Sequence, residues 1–196
     1  MEDKLQKQIE FIIEVDKLKK ICRQSIITDS SRAENDAEHS WHLALMAIVL
    51  KEYANENDLD LLKVIKMVVI HDIVEIDAGD TYIFDVEGYK DKSEREIKAA
   101  ERIYSILPDE QGKELKSLCE EFEARETNEA KFAASLDRLE PLILNSKTKG
   151  HTWKKHNISS DKVKEKNVHV QEGSKQLWSL TNELIEDCIL KGYLTR

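Results

Sequence analysis

Apolar residues recur along this chain at intervals of three and four, a helical rather than a strand period. Leu5, Ile9, Ile12, Ile13, Leu18 and Ile21 predict an amphipathic first helix from residue 3 to 22, ending before the polar turn Thr28-Asp29-Ser30-Ser31. A second helix is expected from Asp36 or Ala37 to Asn55, with Leu43, Leu45, Met46, Ile48, Val49 and Leu50 apolar around much of its circumference, as in a central helix. Asn57-Asp58 breaks it. Asp60 can cap a third helix that runs to about Ala78, with Gly79 suited to the position just past its end. The run Val68-Val69-Ile70 is β-branched, but the length of the segment and the lack of partner strands favour helix.

Thr81 to Lys92 has loop composition, and helices are expected over Ser93–Leu107, Asp109–Arg125 after Pro108, and Glu129–Asn145, with Pro141 bending the last or starting a new turn. Lys147 to Lys166 is polar and irregular and is expected to be loop. A final helix over Val168–Leu190 carries Val170, Leu177, Leu180, Leu184, Ile185 and Ile189 and closes the bundle. These elements predict an all-α, single-domain helical bundle spanning 1–196.

Composition agrees, since 6 glycines and 2 prolines in 196 residues are too few for a chain of hairpins. With 30 basic against 39 acidic side chains the net charge is −9, and no basic block offsets it, so polymeric nucleic acid is not an expected partner. A small phosphate ester is not excluded, because a bound cation overrides the distant surface field. Cys22, Cys119 and Cys188 are isolated and odd in number, which suits reduced thiols. Neither a signal-peptide pattern nor a membrane-length apolar run is found, so a cytoplasmic protein away from membranes is expected.

Candidate chemistry lies inside the apolar helices. His71-Asp72 sits in the middle of the most apolar helix expected of the chain, where a bare carboxylate is costly unless a cation neutralises it. His39 and Asp137 are embedded in similarly apolar helices. Two imidazoles and two carboxylates from three helices make a mixed nitrogen and oxygen site for one divalent ion, with Mn, Co, Fe, Ni, Zn and Mg all candidates. The competing reading is a set of core residues paired with one another or with Arg138.

The ordered set His39, His71-Asp72, Asp137, with the strings around His39 (Arg32 to Ser40) and after His71 (to Gly79-Asp80), resembles the HD-domain phosphohydrolases, in the branch that holds the 5'-deoxynucleotidases. The resemblance runs from about Leu18 to Leu144. It implies a helical bundle around one divalent ion, hydrolysis of a deoxynucleoside 5'-monophosphate to nucleoside and phosphate, and often a homodimer. It implies His39, His71, Asp72 and Asp137 as metal ligands and Glu75 and Asp80 as catalytic acids. Arg23 resembles the arginine that grips the substrate phosphate, and Arg32, near the first ligand, is a second candidate for substrate binding. Where the family often has an aromatic residue after that arginine, this chain has Gln24-Ser25-Ile26, which leaves deoxyribose selectivity open.

Spacing supports two of these roles independently. Glu75 is four residues after His71 and three after Asp72, on one helical face, and Asp80 follows the helix-ending glycine at the rim. His42 is expected to support the site or the core, and His151, His156 and His169 to lie on the surface. Tyr82, Phe84 and Tyr89 can form a lid or base-stacking wall, or anchor their loop. Trp41, Trp153 and Trp178 are expected between helices or at a dimer contact. Two alternatives stand beside the nucleotidase reading. One is a mononuclear HD hydrolase of nucleoside polyphosphates, and the other is a metal-stabilised helical interaction protein without turnover.

Overall fold

A computed structural model describes residues 2–196. Helix α1 (Glu2–Val15) continues as a 3-10 turn (Asp16–Lys20), so the first predicted helix ends two residues early and changes pitch on the way. The chain then forms a small antiparallel hairpin that the helical period did not predict. In it β1 (Cys22–Ile26) pairs with β2 (Ala33–Asn35), Cys22 opposite Asn35 and Ile26 opposite Ala33, with an irregularity between. The expected polar turn is its tip, where Ile27 N–H donates to Arg32 O and Ser30 takes a positive φ of 64°.

Helix α2 (Asp36–Leu50) opens on a capping box. The Asn35 side chain accepts from the Glu38 N–H at 3.0 Å, and the Glu38 carboxylate accepts from the Asn35 N–H at 3.4 Å. This fixes the first turn of α2, and His39 lies just inside it. A 3-10 turn (Lys51–Tyr53) ends that segment. Helix α3 (Leu61–Ile70) is capped by Asp60, which accepts from Lys63 N–H at 3.1 Å.

The predicted continuous helix to Ala78 is instead three pieces. After α3 comes a 3-10 turn (His71–Val74), then α4 (Glu75–Ala78), closed by Gly79 at φ 75° as its place in the sequence predicted. Helices α5 (Lys92–Tyr104), α6 (Asp109–Ala124) and α7 (Asn128–Lys147) follow the predicted pattern. Pro141 lies inside α7 without ending it.

The segment expected as loop contains α8 (His151–Lys155) and α9 (Ser160–Asn167). Both are polar, and α9 buries only Ser160, Val163 and Asn167, too sparse a stripe to stand out as a period. The final predicted helix is divided into α10 (Val170–Gly173) and α11 (Lys175–Leu190). Ser174 makes the break: its hydroxyl accepts from Leu177 N–H at 3.0 Å to cap α11 and donates to Tyr53 O at 2.6 Å. Gly173 is required there, because a Cβ would stand 2.4 Å from the Lys131 carbonyl oxygen of α7.

The core has three parts. The largest joins α2, α3, α7, α10 and α11 through Leu43, Met67, Phe132, Leu136, Leu139 and their neighbours. A second, around Ile70, Ile73, Ile103 and Tyr104, holds the 3-10 turn after α3 against α5. A third, with Trp153, Val163 and Ile185, seats α8 and α9 against α11. Asp137 of α7 and the His71 turn thus border two apolar bodies. Among the described residues no helix is long and apolar enough to cross a membrane.

Candidate metal centre and its cleft

Three elements bring the four expected ligand residues together: α2 with His39, the turn after α3 with His71 and Asp72, and α7 with Asp137. All four are buried. Donor atoms of His39, His71 and Asp137 lie within 4.8 Å of one another. Asp72 adjoins the group, its Oδ1 3.0 Å from His71 Nε2.

The hydrogen bonding of the imidazoles fits a cation. His71 Nδ1 donates to the Val68 carbonyl at 2.9 Å, and since a carbonyl only accepts, a proton sits on Nδ1 and Nε2 is the atom left to face an ion. That Nε2 is buried and makes no hydrogen bond of acceptable geometry, although Asp72 and Asp137 oxygens approach to 3.0 and 3.6 Å. Leaving such a nitrogen unsatisfied costs about 1–3 kcal/mol, a cost that coordination removes. His39 Nε2 is 3.0 Å from Asp137 Oδ1, and its Nδ1 donates to Glu140 Oε2 at 3.2 Å. Burial and Arg23 oppose protonation of His39, but the hydrogen bonds to Asp137 and Glu140 outweigh them and raise its pKa to about 10. Burial also opposes ionisation of Asp137, yet Arg138, His39 and His71 hold its carboxyl well below the usual range. The residues present therefore fit a divalent ion.

Two further clusters, Glu34-His39-Glu140 and Asp36-Asp72-Glu75, border the first. In the former, the nitrogen that would ligate already donates to Glu140. In the latter, the guanidinium of Arg23 supplies the cation, 2.8 Å from Asp72 and 3.4 Å from Asp36. That leaves His39-His71-Asp137, with Asp72 beside it, as the set best suited to an ion.

Glu34, Asp36 and Glu140 escaped the sequence reading, though each lies within five residues of a predicted ligand. Glu140 is buried and also accepts from His42 Nδ1 at 3.1 Å, which places His42 in the supporting role expected of it. Burial opposes ionisation of Glu140, but its hydrogen bonds to His39 and His42 hold its pKa near 2. Burial and the neighbouring Glu140 push Glu34 up to about 8, and burial with Asp72 pushes Asp36 to about 7.

The centre opens into a cleft of about 450 Å³, a size that holds small-molecule ligands. His71, Asp72, Asp137, Glu75, Asp80 and Arg23 line it. Glu75 is buried, and burial, Asp72 and Asp36 raise its carboxyl well above the ordinary value; burial also raises Asp80. Arg32 is not brought here. Its side chain is 53% exposed and pairs with Glu38 through two hydrogen bonds of 2.7 Å, because the β-hairpin tip turns it away from the cleft. The aromatic loop does line the cleft. Tyr82 packs on His156 at 4.6 Å between ring centres and edge-on to Phe84 at 5.3 Å, and Arg95 ties the loop down by donating to Thr81 Oγ1 and Gly88 O. His169, expected on the surface, is half-buried in the cleft wall.

An HD-domain family model matches residues 15–178, and the chain belongs to that family. Within it the chain is an HD-domain phosphohydrolase related to 5'-deoxynucleotidases. It is 30% identical to 5'-deoxynucleotidase HDDC2 of Homo sapiens over 136 residues, 69% of this chain and 65% of that protein, so the match spans just under two thirds of the relative's length. A crystal structure described as a predicted metal-dependent phosphohydrolase from Magnetospirillum magnetotacticum MS-1 is 49% identical, with a TM-score of 0.95 over 100% of this chain and 97% of that one. A conserved hypothetical protein from Pyrococcus furiosus shares the fold at 23% identity, with a TM-score of 0.64 over 92% of this chain and 98% of that one.

Proposed function

We propose that this chain is a 5'-nucleotidase that hydrolyses (deoxy)nucleoside 5'-monophosphates to nucleoside and phosphate, using one divalent ion held by His39, His71, Asp72 and Asp137. The observation that carries the reading is the buried His39-His71-Asp137 donor set on the wall of a cleft that also presents Glu75 and Asp80. The relationship to the human 5'-deoxynucleotidase supports the choice of substrate.

When bound, the ion supplies Lewis-acid polarisation of the phosphoryl group and positive charge against the surrounding carboxylates. Glu75 accepts the proton of the attacking water, whose oxygen bonds to phosphorus as the bond to the nucleoside 5' oxygen breaks. Asp80, at the rim and inclined by burial to hold its proton, protonates the departing oxygen. Arg23 balances the charge of the acids and faces the substrate phosphate, while Tyr82 and Phe84 offer aromatic surface to a base. Incubating the purified chain with a panel of ribo- and deoxynucleoside 5'-monophosphates and several divalent ions should release phosphate, and chelation should stop it. Release from nucleoside triphosphates alone would shift the assignment to the polyphosphate alternative, and release from none would leave the non-catalytic one.

We also propose that two copies associate through apolar residues left exposed on the first three helices. Leu5, Ile9 and Ile12 form a stripe on α1, Trp41, Leu45 and Ile48 one on α2, and Leu62 and Val69 one on α3. Trp41 is 66% exposed, whereas Trp153 is buried in the core. Light scattering should give twice the chain mass of 22.7 kDa, and the double substitution Trp41→Glu, Ile48→Glu should halve it. A monomer at all concentrations tested would refute the association.

A further inference from the structure

The cleft also carries cations that the proposed chemistry has not used. Arg125, Arg138, Lys92 and Lys166 line it together with His169, although the chain as a whole is strongly acidic. Lys92 is committed to Glu96. Arg138 is not committed in this way. Its side chain is 29% exposed, and its one ion pair, with Asp137 Oδ2, is 3.7 Å long, beyond hydrogen-bond range. Its Nε is buried with no hydrogen-bond partner. Arg125 ends α6 at φ 51°, a left-handed position where glycine is the usual choice, and makes no ion pair among the described residues. Glu123 and Glu165 also line the cleft, yet neither pairs with the two arginines.

Arg23 is the opposite case. Its guanidinium lies 2.8 Å from Asp72, 3.4 Å from Asp36 and 4.0 Å from both Glu34 and Asp137, with 14% of the side chain exposed. Asp36 and Asp72 take Nη1 as their hydrogen-bond donor, and the charge of Arg23 is shared among all four acids.

We propose that Arg138, with Arg125 beside it, is a second phosphate grip of this cleft, binding the phosphoryl oxygens of the substrate and of the phosphate product. The planar fork of a guanidinium suits a tetrahedral oxyanion, and a buried Nε without a hydrogen-bond partner gains one on binding it. His169 adds a neutral donor to the same corner, kept neutral by burial and by Arg138 and Arg125, which lower its pKa to about 4. The proposal rests on the phosphohydrolase reading, but phosphate binding can be measured without turnover.

The test is calorimetric titration of inorganic phosphate into the Mn²⁺-loaded full chain, with Mn²⁺ affinity and melting temperature measured on the same samples. Arg138→Gln should weaken phosphate binding roughly 10–100-fold, the scale of a charge-assisted hydrogen bond, while Mn²⁺ affinity changes less than threefold. Arg138→Lys should recover part of the loss, as a point charge without the fork. Arg125→Ala, which leaves the ligand helices untouched, should weaken phosphate binding by a smaller factor. Phosphate affinity within twofold of the parent in a folded Arg138→Gln chain would overturn the proposal, as would a loss that follows Mn²⁺ affinity alone. A parent chain that binds phosphate through Arg138 but hydrolyses no nucleotide would remove the nucleotidase reading and leave the grip standing.

Discussion

Replacing Asp137 by asparagine is expected to remove the bound ion and catalytic turnover together. Asp137 is where the site's positive groups converge: His39 Nε2 stands 3.0 Å from it, His71 Nε2 3.6 Å, Arg138 3.7 Å and Arg23 4.0 Å. The amide keeps the shape but takes away the charge that offsets a cation. Loss of an outer-shell partner of a metal costs about 10–100-fold in affinity, and loss of a charged ligand should exceed that. Elemental analysis of the purified variant should therefore find far less metal than in the parent, and phosphate release should fall to background. Stability should fall too, because breaking a buried ion pair from one side leaves uncompensated charge at about 3–5 kcal/mol. A full metal complement in Asp137→Asn would remove Asp137 from the ligand set.

Why the candidate ligands stood out in sequence while much of their surroundings did not follows from where each kind of information resides. A histidine-aspartate pair beside Val68-Val69-Ile70, and an aspartate between Leu136 and Leu139, contradict the local pattern, and such contradictions mark functional positions. The Asp60 cap and the Gly79 terminus are equally local, being set by the chemistry of one residue and its next turn. Glu34, Asp36 and Glu140 carry no such mark. Asp36 looks like an ordinary first-turn acid and Glu140 like a surface residue of α7, and only packing of α2 on α7 brings Glu140 against His39. Arg32 shows the converse, since nearness in sequence to His39 did not make it a neighbour in space once the β-hairpin turned it outward. The hairpin, α8 and α9 were missed for a related reason: each is short or polar, and each is held by contacts with distant segments. Thr152, for example, donates from its hydroxyl to the Gln24 carbonyl at 3.0 Å, and Ser160 N–H donates to Thr195 O at 2.7 Å.

The Glu75→Gln substitution should do the reverse of Asp137→Asn, keeping the ion and losing the chemistry. Glu75 opens α4 directly after the 3-10 turn that carries His71 and Asp72, so its carboxyl faces Asp36 and Asp72 without belonging to the His39-His71-Asp137 set. Burial and those two acids favour its protonated form, and in the parent enzyme the rate should rise with pH as Glu75 loses its proton and becomes able to accept one from water. A glutamine cannot accept that proton. The rate at the pH optimum should drop by about 10²–10⁴, the usual contribution of a positioned general base, and the rising limb of the pH–rate profile should disappear with it. Metal content and melting temperature should stay close to the parent values, because a neutral amide stands in for the protonated carboxyl that burial and the neighbouring acids already favour. Asp80→Asn, at the half-exposed rim, should also keep the ion and lower the rate, since its proton is the one delivered to the departing oxygen. Unchanged turnover in Glu75→Gln, or a rising limb that persists there and vanishes in Asp80→Asn, would exchange or remove these two roles.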